Sequence, residues 1–241
     1  MGTVNEFADI DALILQARAA FRDNKGLGEI EKVFDLYFAF ARSIGKFQSQ
    51  KDWEGGRDEY IIKILSKAIQ SLLGMLYLSE SGFYDLALSL ERNYIELLLI
   101  AIAVGYDDRN FTDWERGASD FRNAHKVAKK ITASANVPAP EKEIVTHLTK
   151  EWETASSRYA HELHIGNVEE IIQSGEIHLG VVIADEAMRA KRLETIRSMA
   201  LNVITVLVGV FRYDTVTIKD KKRFPEALTL IAAFNSMQKD E

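Results

Sequence analysis

The 241-residue sequence contains no cysteine, which excludes a disulfide framework, a thiolate metal site and a cysteine nucleophile. Proline is scarce, with three residues, and this suits long helices because a proline inside a helix costs about 3 kcal/mol. Long hydrophobic runs are also missing. The longest, Leu97 to Val104 and Val203 to Phe211, fall far short of the roughly 20 residues that span a bilayer. The first residues, Met1-Gly2-Thr3-Val4-Asn5-Glu6, lack the basic and then apolar stretch of a signal peptide. A cytoplasmic protein without membrane association is therefore expected, and the sequon Asn110-Phe111-Thr112 carries no weight without export. A phosphate-binding glycine loop and a nucleophile elbow are absent from the sequence. Positive charge is in deficit: the net charge of −6 disfavours broad binding to nucleic-acid backbone and leaves room only for a local basic site in a cleft.

What is present has the balance of a globular chain, with 47% hydrophobic and 27% charged residues. Apolar residues recur with helical spacing at Phe7, Ile10, Leu13, Ile14, Ala17 and Phe21. A second helix starts near Glu29 and is expected to end with Gly45 at its C′ position. A third spans Arg57 to Ser79, and a fourth, apolar nearly all round, spans Phe83 to Val104. Thr112 with Glu115 three residues on has the capping-box pattern and opens a fifth helix to about Ala133. Pro138-Ala139-Pro140 forces a break before a sixth helix, Glu141 to His164. Ile171-Ile172, Gln173-Ser174-Gly175-Glu176 and Ile177 to Val182 are expected to form a short β-hairpin around a glycine turn. A long helix from Asp185 to Arg212 and a short one from Phe224 to Gln238 complete the pattern. The expected fold class is all-α: one helical-bundle domain over 1–241, of seven to eight helices, with one short β-hairpin near 169–182. Its core is expected at about 57–212, with the N-terminal helical pair 6–45 and the C-terminal helix 224–238 packed on it.

Two helices carry polar strips. On the fourth, Asp85, Ser89, Arg92 and Glu96 fall within about 60° at 100° per residue, and Arg92 and Glu96 are i,i+4 neighbours. A helix this apolar elsewhere is expected to be buried, with the strip facing the interior or a cleft. On the sixth, His147, Glu151, Arg158 and Glu162 form a matching strip. Side-by-side packing would let Arg92 meet Glu162 and Arg158 meet Glu96. Such a network either fixes helix register or lines a pocket for a polar or anionic ligand.

The end of the sixth helix reads Ser156-Ser157-Arg158-Tyr159-Ala160-His161-Glu162-Leu163-His164. His161 and His164 are three residues apart, one short of the spacing that lets two histidines share a zinc ion, so neither a metal nor any other cofactor is expected. A second chemistry is phosphodiester cleavage without metal. A guanidinium can hold the phosphate and an imidazole can activate the 2′-hydroxyl of RNA or protonate the leaving oxygen. A third reading is plain: cationic side chains near a helix C-terminus complement the macrodipole and act as caps only.

The Arg158-(x5)-His164 element at a helix end resembles the Arg-x(4–6)-His motif of the HEPN superfamily (higher eukaryotes and prokaryotes nucleotide-binding). The stretch Gly82-Phe83-Tyr84-Asp85-Leu86-Ala87-Leu88-Ser89-Leu90-Glu91-Arg92-Asn93-Tyr94-Ile95-Glu96 is similar to a helix of related bacterial helical proteins. The resemblance spans about residues 60–210. It implies a helical bundle, often a homodimer with paired motifs in one composite cleft. It also implies a metal-independent endoribonuclease of a toxin–antitoxin or antiphage system, with RNA as substrate and an antitoxin or other protein as partner. By position, Arg158 would hold phosphate and His164 would be the general acid–base, with His161 as its substitute. Active members commonly carry Asn, Asp or His after the arginine, where this chain has Tyr159. The rival expectation is a non-catalytic interaction or ligand-binding protein, in which Arg92, Glu96, Arg158 and Glu162 are structural.

Overall fold

The computed structural model describes residues 6–22, 26–48, 56–162, 175–178, 181–184, 186–212 and 226–239. Among them are nine α-helices: α1 (Glu6–Arg22), α2 (Gly26–Gln48), α3 (Arg57–Glu80), α4 (Tyr84–Tyr106), α5 (Asp108–Glu115), α6 (Ala124–Ala133), α7 (Ala139–Glu162), α8 (Glu186–Val210) and α9 (Ala227–Lys239). The fold is all-α in class. Two four-residue strands, β1 (Gly175–His178) and β2 (Val181–Ala184), pair antiparallel, and β2 lies beside α1.

The helix count exceeds the expected seven to eight because the fifth helix is not continuous. Asp107 caps α5 by accepting the N–H of Arg109, and Thr112 sits inside α5 with its hydroxyl donating to the Asp108 carbonyl. Gly117, at φ 74°, then reverses the chain: the N–H of Gly117 donates to Trp114 O and that of Ala118 to Asp113 O. That pair of bonds is a Schellman ending, which needs a residue tolerant of the left-handed region. A 3-10 turn at Ser119–Arg122 follows, and Asn123 caps α6 by accepting the N–H of Lys126. The Thr112/Glu115 pattern had marked the wrong end of a helix.

Two further boundaries differ from the sequence reading. Gly45 does not end α2, which runs on to Gln48. In the hairpin, Gly175 is a strand residue opposite Ala184, and Ile177 pairs with Val182. Ile177 and Val182 therefore stand opposite each other on two paired strands and not along one. Residues 171–174 lie outside the described residues.

α3 and α4 form an antiparallel hairpin closed by a second Schellman ending, in which Gly82 (φ 80°) donates to Ser79 O and Phe83 to Leu78 O. α7 and α8 pack against α4, and α2 packs on α8. Buried side chains from Phe21 in α1 to Phe234 in α9 join one hydrophobic cluster, centred on Tyr94, Leu98, Leu99 and Ile102 of α4 and Ile196, Val203 and Ile204 of α8. Each such Leu or Ile contributes roughly 1.5–3 kcal/mol by leaving water. α9 docks through Phe234, edge-on to Phe40, and through Arg197 donating to Met237 O.

α3 and α8 are each long and apolar enough, by length and composition, to cross a membrane, which uninterrupted run length alone did not register. In the bundle 44% and 50% of their apolar windows are buried.

Candidate functional site

The polar strip of α4 is half-exposed at Arg92 and Glu96. Arg92 and Glu96 pair at 3.1 Å, with 42% and 36% of their side chains exposed. Trp152 of α7 completes the group: its indole N–H donates to Glu96 Oε1 at 2.9 Å, and the Arg92 guanidinium lies 5.2 Å from the ring centroid. His125 of α6 meets the same indole edge-on at 5.0 Å. Among the described residues the cross-helix partner of both is thus a tryptophan, and the expected contacts to Arg158 and Glu162 lie outside the described side chains. The α4–α7 register, set by Glu96–Trp152 at one point and Tyr106–Glu141 at another, is antiparallel.

Among the described side chains of α4 the buried charge is Glu91, one residue away and 100° round the helix. Its side chain is 5% exposed, and Oε2 accepts from Arg192 of α8 at 2.9 Å. Arg192 also donates to Ser79 Oγ at 3.3 Å, while its Nη2 is buried with no partner among the described residues. The sequence reading missed this pair. A helix apolar nearly all round cannot by its own periodicity reveal which of two adjacent charges points inward.

Glu91 lines a cleft of about 310 Å³ between α4, α7 and α8. Tyr94 and Ile95 of α4 and Leu148 of α7 give it an apolar wall. Tyr94 is fully buried and donates its hydroxyl to Met199 O at 2.6 Å; burial holds that phenol well above its ordinary pKa, so it stays a proton donor. α7 contributes His147 and Glu151, two of the residues expected to support a site. α8 contributes Lys191, Glu194, Ser198 and Asn202, spaced three to four apart, which puts them on one helical face. That stripe is visible in the sequence, yet its residue types match no catalytic motif. The side chains of His147, Glu151, Lys191 and Glu194 make no hydrogen bond or ion pair among the described residues.

α7 continues as helix through Glu162, so positions 158, 161 and 162 occupy its final turns. Position 158 falls within about 20° of Glu151 around the helix and roughly 10 Å further along it. The side chains of Arg158, His161 and Glu162, and the whole of His164, lie outside the described residues. No group of three or more metal-ligating side chains occurs among the described residues. No family model, curated protein or solved structure matches the chain.

Proposed function

We propose that the protein is a non-catalytic, ligand-binding helical bundle whose site is the cleft between α4, α7 and α8. One observation carries this reading: polar side chains from α7 and α8, among them His147, Glu151, Lys191 and Glu194 without a hydrogen bond or ion pair among the described residues, converge, over an apolar wall, on a hollow of about 310 Å³. Concave sites with an apolar body and a few convergent polar groups are where small molecules bind. The charge pairs around the cleft, Glu91–Arg192 and Arg92–Glu96, act as structure, holding α4 to α8 and bracing α4 against Trp152 of α7. A thermal-shift screen of a metabolite library tests the reading. A binding compound raises Tm by mass action, and Glu151→Gln or Ser198→Ala removes that rise without changing the Tm of the free protein. If no compound stabilises the wild type, or if the cleft variants respond as it does, the reading fails.

A second reading is kept by one feature, the unbroken run of α7 that carries positions 158 and 161 on its last turns. On it the protein is a HEPN-like, metal-independent endoribonuclease, cytoplasmic and homodimeric, paired with an antitoxin or another protein. Arg158 holds the phosphate and His164, or His161, moves the proton. The excess of carboxylates in the adjacent cleft weighs against seating RNA backbone there. Incubation with mixed RNA in EDTA decides it. Cleavage to 2′,3′-cyclic phosphate ends, lost in both Arg158→Ala and His164→Ala, supports the enzyme, and intact RNA contradicts it. A monomeric solution mass contradicts the composite cleft.

A further inference from the structure

We infer that the outer face of the α3–α4 hairpin is where a second copy of this chain docks; neither functional reading above enters the argument. α4 is apolar nearly all round, and a helix of that kind is ordinarily covered on every side. α3, α5, α6, α7 and α8 all pack against it, yet one side stays open. Leu86, Leu90, Leu97 and Ile100 share that side at helical spacing, Leu86 57% exposed and the others half-buried. Beside them on α3 stand Leu73 and Tyr77, 40% and 59% exposed. Leu90 lies flat against Gly74, where an added Cβ would come within 2.7 Å of its Cδ1. Asn93 donates to Ser71 Oγ at 3.0 Å across the same seam. The two helices therefore present one continuous, largely apolar surface.

Area, charge and order select the occupant. The exposed parts of these six side chains amount to roughly 400 Å², most of the apolar share of the roughly 800 Å² that each partner gives to a stable dimer. The open stripe of α4, positions 86, 89, 90, 93, 97 and 100, reads Leu, Ser, Leu, Asn, Leu and Ile, with no ionisable side chain. In a chain of net charge −6, two copies meet there without like charges in contact, and charge depletion marks the centre of an interface. A bilayer surface is held by basic side chains, which the stripe lacks, and a strongly charged partner would find no counter-charge on it. Tyr77 is already ordered: Arg18 donates to its hydroxyl at 2.7 Å and lies 5.0 Å from its ring centre. A side chain fixed beforehand loses little freedom on docking. The face is about 100° round α4 from the Arg92–Glu96 side that meets Trp152 of α7.

Sedimentation velocity on the full chain across a dilution series tests this. A mass of two chains is expected in the micromolar range. Leu73→Glu and Leu86→Glu should each weaken the dimer about a hundredfold, because each buries a carboxylate without a partner in both copies. Both side chains are exposed in the single chain, so folding survives the change, which circular dichroism verifies. Leu73→Met should keep the dimer, and Arg158→Ala should leave it intact, which separates this face from a composite cleft at the end of α7. A monomer at every concentration overturns the inference, and so does a dimer that both glutamate variants leave unchanged. A monomer that floats with phosphatidylserine-containing vesicles, and is released by Leu86→Glu, puts a bilayer on the face and overturns it too.

Discussion

Gly209 sits in the last turn of α8, where replacing glycine by alanine ordinarily adds up to about 1 kcal/mol of stability. Here the sign should reverse. A Cβ at 209 would stand 2.5 Å from the Tyr106 hydroxyl and 2.7 Å from Glu141 Oε1, closer than nonbonded atoms approach. Those two atoms are themselves hydrogen-bonded, and Glu141 is 9% exposed with Oε2 buried and without a partner among the described residues. Making room means overpacking strain of about 1–3 kcal/mol, and breaking the bond costs about 1.5–3 kcal/mol for a charged acceptor. Set against the helix-propensity gain of up to about 1 kcal/mol, the net loss is about 1.5–5 kcal/mol, or a fall in Tm of roughly 3–20 °C for a chain of this size. The control is Gly45 in α2, exposed, with nothing within 4 Å of an added Cβ. Gly45→Ala should raise Tm or leave it unchanged. Scanning calorimetry of both variants reads the difference, and on a Tyr106→Phe background the Gly209→Ala loss should shrink because the obstructing oxygen is gone. A Gly209→Ala protein as stable as wild type refutes the close approach of α4, α7 and α8 at this end.

The two ion pairs of α4 should separate cleanly in denaturant melts. Arg192→Met strands a buried carboxylate and should cost about 3–5 kcal/mol, whereas Arg92→Met removes a half-exposed pair and a ring contact worth about 1–2 kcal/mol together. Equal losses would contradict the assignment of Glu91 as the interior charge. Tyr94→Phe should cost about 0.5–1.5 kcal/mol through the lost bond to Met199 O, with helical content unchanged by circular dichroism. Burial pushes the Asp107 carboxyl up, but donation from Ser134 and from the N–H groups of Arg109 and Asn110 outweighs it, leaving the pKa below the ordinary value of 3.8. A depressed carboxyl stabilises the fold above its unfolded pKa and loses that contribution as pH falls through the folded one. Asp107→Asn should therefore flatten the stability profile below about pH 4, and an unchanged acid limb would refute it.

The helices were legible where apolar periodicity was strong. α3, α4 and α7 begin and end within about two residues of the expected positions over what the structure describes, because Gly82 and the proline pair punctuate the chain through fixed backbone preferences. The segment from 107 to 133 was not, because Asp107, not Thr112, supplies the capping oxygen and Gly117 acts through its left-handed conformation. Both residue types look alike in sequence whether they start or stop a helix. The site was half legible. His147 and Glu151 do line a cleft, but its buried carboxylate, Glu91, was hidden beside Arg92 on a helix whose apolar surround gives no direction. Arg192 and the stripe from Lys191 to Asn202 belong to a helix read only for its hydrophobic content. Their role exists only once α8 is laid against α4, and periodicity within one helix carries no information about its neighbour.

The most direct test of the ligand-binding account is a ¹H–¹⁵N correlation titration of the full chain with the compound that stabilises it most. The account requires the perturbed amides to concentrate at 91–95 of α4, 147–151 of α7 and 191–202 of α8. Perturbations gathered instead at the C-terminal turns of α7, with those three segments unmoved, would contradict it.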